Sequence, residues 1–462
     1  MAKLPAMPAL AGLYPPAPDG IVNLEHGYFG AMAQPVQAAL VESVDYLNRH
    51  LSPFLRGAQA LEYGAVLCAR LAKLINAEPH EILLTRSASE SMQVLIGQYH
   101  RLAPGDGVLW SNLDYPAMRY AMAWLEGRRG VVPTELHLSL PLSGDALLEQ
   151  YATAIRDTPG LKLILLSQVF PANGQSVPVR EIAALARARG VDVLVDSAHA
   201  LGQLPVDVQA MGIDFAGFNL HKWIGAPPGL GFAYIRSSRL DRIEPHFGDR
   251  DYPADDIRGR LHAGMPPMSA IMAAPVALDV HAQLGGSPAK GARLAWLRNY
   301  WVQRVADLPG MQLMSPLVGD TALAAFTIDG MRALDVQAAL LARLQSVAPP
   351  APRAQPLVWL TASRGVETRL ILVDDVAYFQ SDSKYTVVMT AEGESLLRKP
   401  IRDLLEVLDP AMFRQVHRST IVNLRAVAGV TRDDSGKGVI RLRNRPETLT
   451  VSQPFMALFR HM

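Results

Sequence analysis

The sequence predicts an α/β protein, a doubly wound sheet with helices on both faces, followed by a smaller, mostly β module. Three observations lead there. Over roughly the first three quarters of the chain, short and nearly unbroken apolar runs alternate with helical-period segments, as strands buried on both faces of a parallel sheet require. A proline- and alanine-rich stretch, "SVAPPAPRAQP" at residues 346–356, reads as a semi-rigid linker. Behind it the rhythm changes to short strand-like runs separated by turn residues. Domains are therefore placed at 1–345 and 357–462, on either side of that linker.

In order along the front domain, the expected strands are "EILLT" (81–85), "GVLWS" (107–111), "LKLILLS" (161–167), "VDVLVDS" (191–197) and "IDFAGF" (213–218). Between them, segments such as "VREIAALARARG" are helical in period and closed by Gly190. The tail offers "LVWLTA", "TRLILV", "VAYFQS", "YTVVMT", "SLLRK", "FRQVHRSTIVNL", "GVIRLR" and "TLTVS" as strands, with one helix at about 400–408.

Composition narrows the function. With 49% hydrophobic and 19% charged residues over 462 positions, the chain is globular and large enough for two or three cores. It has no run of about eighteen apolar residues. The opening "MAKLPAMPALAGLYPPAPDG" is too rich in proline for a signal peptide or membrane span. A cytoplasmic protein is expected. The one cysteine, Cys68, excludes an internal disulfide and a multi-cysteine metal site, and its neighbours "YGAVLCARLAKL" make it a core thiol. Net charge is −3 over residues 1–345 and +3 over 357–462, so the tail is the part compatible with nucleic acid.

Ligands of an open parallel sheet lie beyond the carboxyl ends of its strands. Three of these ends carry chemistry: Asp196 and His199 in "VDVLVDSAH", Asn219, His221 and Lys222 in "IDFAGFNLHKW", and Ser87, Ala88 and Ser89 before a helix that starts near Glu90. The free N–H groups of that helix would suit a phosphate. An amine, an acid and a phosphate cradle together are what pyridoxal 5'-phosphate (PLP) requires. Lysine forms the Schiff base, aspartate keeps the pyridine nitrogen protonated, and the helix end holds the phosphate. Singly, each has a plainer reading, as a solvated lysine, a turn aspartate and an N-cap with its capping-box glutamate.

From about residue 20 to 345 the chain resembles the class V group of fold type I PLP-dependent enzymes. The resemblance rests on "VNLEHGYFG", "LLTRSASES", "VDSAHALGQLPVDVQAMGIDFAGFNLHKWIGAPPGLGFAYIR" and, more weakly, "HAGMPPMSAIMAAPVALDV". It implies a homodimer in which Lys222 carries the cofactor, Asp196 faces the pyridine nitrogen and His199 lies by the phenolic oxygen. Ala88 and Ser89 would bind phosphate, Asn219 stands where many relatives have serine, His221 adjoins the lysine, and Tyr115 stacks on the ring. The sequence departs from that pattern at Met265, where a threonine is usual, and at Phe170, where an asparagine is usual. The small lobe looks incomplete, without the closing strands whose arginine grips a substrate carboxylate.

Residues 357–462 resemble the LytTR DNA-binding domain of bacterial response regulators, through "VDDVAYFQSDSKYTVVMT", "LLRKPIRDLLEVLDPAMFRQVHRSTIVNLRAV" and "TLTVSQPF". The resemblance implies DNA contacts from Lys384, Arg398, Lys399, His417, Arg418 and Asn423. Gln453 replaces an arginine common in relatives. The reading that follows is a PLP-binding, DNA-binding transcriptional regulator that senses an amino compound or PLP. The alternatives are an active PLP-dependent enzyme with a DNA-binding tail and a catalytically silent dimerisation platform.

Overall fold

The computed structural model describes residues 12–14, 25–347, 357, 359–364, 367–382, 384–432, 438–443, 445–452 and 455. Nearly all of the 346–356 linker, and Gln453, lie outside these residues. Contacts divide the chain into two units, one reaching to Ser346 and one running from Val347.

The front unit opens with helices α1 (Gln34–Arg56) and α2 (Ala58–Ile75). Then come β1 (Ile82–Thr85), α3 (Ala88–Gly97), β2 (Gly107–Ser111), α4 (Pro116–Arg129), β3 (Val132–Leu136), α5 (Gly144–Asp157), β4 (Leu161–Ser167), α6 (Val179–Ala188), β5 (Asp192–Asp196), β6 (Phe215–Asn219) and β7 (Gly231–Ile235). These strands form one seven-stranded sheet in the order β1-β7-β6-β5-β4-β2-β3. The pairs from β3 to β6 are parallel, whereas β7 runs antiparallel to both β6 and β1. The five strands read from the sequence are all present. The two it did not yield are β7 and the edge strand β3, which is half exposed and contains Pro133, a residue that edge strands tolerate.

Alternate residues of the central strands enter different cores, as the pleat dictates. Ile164, Leu166, Val193, Val195 and Phe218 face one cluster with residues of α2, α5 and α6. Leu163, Leu165, Leu194 and Phe215 face another with residues of α3 and α4. Fully burying each such side chain contributes about 1.5–3 kcal/mol, so the strands must be apolar on both faces. Cys68 is half-buried against the first cluster, and burial pushes its thiol up to about 11; this is a packing thiol.

After the sheet follow α7 (Met268–Gln283), α8 (Gly286–Val305), the antiparallel pair β8 (Met311–Leu313) and β9 (Phe326–Ile328), and α9 (Ala333–Val347). Arg298 of α8 is 2% exposed and spends its guanidinium on the carbonyls of Pro316 and Leu317.

The second unit is antiparallel. It runs through β10 (Trp359–Arg364), β11 (Glu367–Leu372), β12 (Val376–Asp382), β13 (Tyr385–Thr390), β14 (Gly393–Leu397), α10 (Ile401–Val407), β15 (Phe413–His417), β16 (Thr420–Asn423), β17 (Val427–Arg432), β18 (Gly438–Leu442) and β19 (Thr448–Val451). One sheet has the order β11-β10-β14-β13-β12-β16-β15 and the other β17-β18-β19. Ile401 and Leu404 of α10 pack on Phe379, Phe413 and Ile421. Among the described residues no helix is long and apolar enough to cross a membrane.

Candidate functional site

The carboxyl ends of β1, β4, β5 and β6 meet along one edge of the front sheet. Asp196 ends β5 and is buried. Its Oδ1 accepts the Ala198 N–H at 2.9 Å, and its carbonyl accepts the Gln168 N–H at 2.9 Å. Burial raises the carboxyl's pKa, against the Ala198 N–H and the Lys222 charge, which lower it. Three residues on, His199 sets its Nε2 2.9 Å from the Nζ of Lys222. Burial first, and then the Lys222 charge, hold that imidazole down to about 3, so it is neutral. With Lys222 donating to Nε2, the proton of the neutral ring sits on Nδ1, a buried atom with no partner among the described residues.

Lys222 lies in the turn between β6 and β7. Burial depresses its amine pKa and the Asp196 charge opposes that. A lowered pKa enlarges the share of the neutral, nucleophilic amine. The turn is braced from the N-terminal side: the Gly30 N–H donates to the His221 carbonyl at 2.7 Å. A Cβ on Gly30 would stand 1.9 Å from the Lys222 carbonyl oxygen, so only glycine fits. His221 Nδ1 lies 3.3 Å from the Leu230 carbonyl, and burial lowers its pKa.

The helix end is built as the capping pattern suggests. Ser87, in extended backbone, caps α3 by accepting the Glu90 N–H at 3.1 Å. Glu90 in turn accepts the Arg86 N–H at 2.7 Å. The Ala88 N–H donates to Asn219 Oδ1 at 2.7 Å, which stitches α3 to the end of β6. That N–H is therefore already paired within the chain, and so is that of Glu90; Ser89 is half-buried beside them. Gly231 makes the close approach possible, since a Cβ there would lie 2.5 Å from the Phe218 carbonyl oxygen and 2.7 Å from Ser87.

The structure thus gathers Ala88, Ser89, Asp196, His199, Asn219, His221 and Lys222 at one edge. Tyr115 precedes α4 and is 43% exposed; among the described residues it makes no ring or hydrogen-bond contact with that group. Phe170 is fully buried core, and Met265 is 72% exposed. Sequence reasoning missed Asp114. It is buried, accepts the N–H groups of Ser111 at 2.7 Å and Ser167 at 2.8 Å, and fixes the loop after β2 to the end of β4. Its only signal was an acid two residues beyond "WSN" at a strand end.

In the second unit, strand register decides which cations converge. Asp382 pairs with Tyr385, Thr386 with Leu397 and Gln380 with Thr420, and the Ser381 N–H donates to the Ser419 carbonyl at 2.8 Å. The turns bearing Lys384, Arg398–Lys399 and His417–Arg418 therefore lie at one end of the sheet. Lys384, Arg398 and Arg418 are exposed there. Asn423 corrects the sequence reading. It is 2% exposed at the other end of β16, its Nδ2 donates to the Val376 carbonyl at 3.0 Å, and its Oδ1 accepts the Arg425 N–H at 2.9 Å. An internal cap of that kind is not open to a duplex.

A family model for class-V aminotransferases matches residues 43–347, and one for the LytTr DNA-binding domain matches residues 367–462. Isopenicillin N epimerase of Streptomyces clavuligerus is 28% identical over 317 residues, covering 64% of this chain and 77% of the relative. A cysteine desulfurase of Yersinia pestis bv. Antiqua (strain Angola) is 28% identical over 305 residues, covering 62% and 73%. Among solved structures, the cystine C-S lyase C-DES in complex with cysteine persulfide has a TM-score of 0.61 at 21% identity, covering 69% of this chain and 87% of that one. The cysteine desulfurase CsdA from Escherichia coli has a TM-score of 0.59 at 23% identity, covering 70% and 82%. At such identities the structural likeness shows the fold.

Proposed function

The chain belongs to the class-V aminotransferase family, with a LytTr DNA-binding domain matched behind that region; from this premise we propose a cytoplasmic, PLP-binding transcriptional regulator. Its front unit dimerises and senses an amino compound or PLP, and its second unit holds DNA. One observation carries the cofactor assignment: the depressed amine of Lys222 stands 2.9 Å from a neutral His199, within the field of the buried Asp196, at the carboxyl edge of the sheet.

The residues present fit PLP. When bound to a lysine, the group supplies an electron sink for carbanion chemistry. Lys222 offers the amine that would hold it. Asp196 offers a carboxylate for the pyridine nitrogen, and the unpaired Nδ1–H of His199 offers a buried donor. Asn219, His221, Ala88 and Ser89 would surround the phosphate, and Tyr115 would cover the ring. At the phosphate end the fit is looser, because the Ala88 N–H already serves Asn219. Lys384, Arg398, Lys399, His417 and Arg418 are the DNA-facing set of this reading.

An active PLP enzyme with a DNA-binding tail is the second reading, favoured by the complete Lys222, His199 and Asp196 group. The small lobe favours regulation instead, since its buried Arg298 is occupied by backbone carbonyls rather than offered to a substrate carboxylate. The test is direct. Purified wild type should develop a visible absorption band with PLP that shifts with amino compounds, and Lys222→Ala should lack it. A colourless wild type, or a Lys222→Ala chain that behaves as wild type, would overturn the cofactor assignment. Steady turnover of an amino acid would favour the enzyme.

A further inference from the structure

The turn that carries Lys222 is held at three successive carbonyls. Gly30 N–H takes that of His221, and Gly225 N–H takes that of Lys222 at 3.2 Å. The third, of Trp223, is taken by a side chain from elsewhere: Lys290, in the second turn of α8, donates its Nζ to it. Among the described residues Lys290 has no carboxylate partner. Burial alone lowers its amine to about 8, which is costly for a residue that normally stays in water. The titratable group that faces it is His281 of α7, which burial and the Lys290 charge hold neutral at about 3.

The next residue of α8 meets the loop that carries His199. A Cβ on Gly291 would lie 2.1 Å from the Gln203 carbonyl oxygen, so the helix backbone rests directly on that loop. Gln203 donates its Nε2 to the His199 carbonyl and accepts the Ala322 N–H at 2.8 Å. Gly202, at φ 93°, lies against Trp223, where a Cβ would be 2.9 Å from its carbonyl carbon. One end of α8 therefore grips both loops whose side chains stand 2.9 Å apart as Lys222 and His199.

We propose that Lys290 is a positioning residue, which holds the Trp223 carbonyl from α8 and thereby sets where Lys222 stands relative to His199. The inference rests on the PLP reading of that site. An apolar replacement would leave a buried carbonyl without its donor, and the turn would relax to find another. Small displacements of a bound nucleophile are expensive in its chemistry.

The experiment compares full-length wild type, Lys290→Met and Lys290→Arg by PLP titration, by the pH midpoint of the visible band and by thermal unfolding. Lys290→Met is expected to bind PLP about tenfold more weakly, the size of a lost charged hydrogen bond, and to move the band's midpoint. Lys290→Arg, which keeps a charged donor, should restore both. If Lys290→Met does not fold, Lys290→Ala, which also removes the donor, is read in the same way. Wild-type affinity and midpoint in the apolar variant would overturn the proposal. So would an equal loss of stability in the Met and Arg variants with no rescue of the band. A wild type without any band would instead sink the PLP reading beneath it.

Discussion

At Lys222, desolvation and the charge of Asp196 pull in opposite directions, and desolvation wins. That Lys222, His199 and Asp196 converge was legible in the sequence, because all three stand at or just beyond the carboxyl ends of neighbouring strands of one sheet. Asp114 and Lys290 were not legible, because burial is what makes them unusual and burial is a property of the fold. Asp114 shows the consequence for stability. Burial lifts its carboxyl from 3.8 to about 6. Between those values the folded chain keeps a proton that the unfolded chain has released. Stability from this group is thus fully present below pH 3.8 and is lost as pH rises through about 6, a change on the order of 3 kcal/mol. Urea unfolding of Asp114→Asn across this window should lack that slope; a slope equal to that of wild type would contradict the assignment. Asn423 failed in the other direction, since a polar residue beside a turn looks available until its cap bonds are seen.

The elements that position the site were read well where their pattern was unambiguous. Apolar runs buried on both faces gave β1, β2, β4, β5 and β6. Direction is not encoded in such a run, so the antiparallel β7 that separates β1 from β6 could not be foreseen. Its first residue is critical. Gly231→Ala would press a methyl group onto the Phe218 carbonyl and Ser87 together, at a cost of about 1–3 kcal/mol by overpacking. Because Ser87 caps α3, the variant should also hold PLP less tightly than wild type. Chemical denaturation and PLP titration check both, and an unchanged midpoint would show that the corner can give way.

On the scale of the whole molecule, the change of rhythm at residues 346–356 announced two units, because a sheet of buried parallel strands and a sheet of hairpins have different periodicities. What the rhythm could not supply was register, which alone brings the turns of Lys384, Arg398–Lys399 and His417–Arg418 to one end of the second unit. Binding of the full chain to a promoter fragment should weaken steeply with salt, and Arg418→Ala and Lys384→Ala should each reduce the log–log slope by about one. Salt-insensitive binding would remove that surface from consideration. The strand order of the front sheet also constrains how the protein is made. Among the described strands β1 is bonded only to β7, so as the chain leaves the ribosome Thr85 waits for its strand partner until Gly231 has been synthesised. The helix end that α3 contributes to the candidate site is therefore fixed to the sheet edge only once β7 has formed, and a nascent chain arrested before β7 would present an open strand edge to chaperones and to other chains.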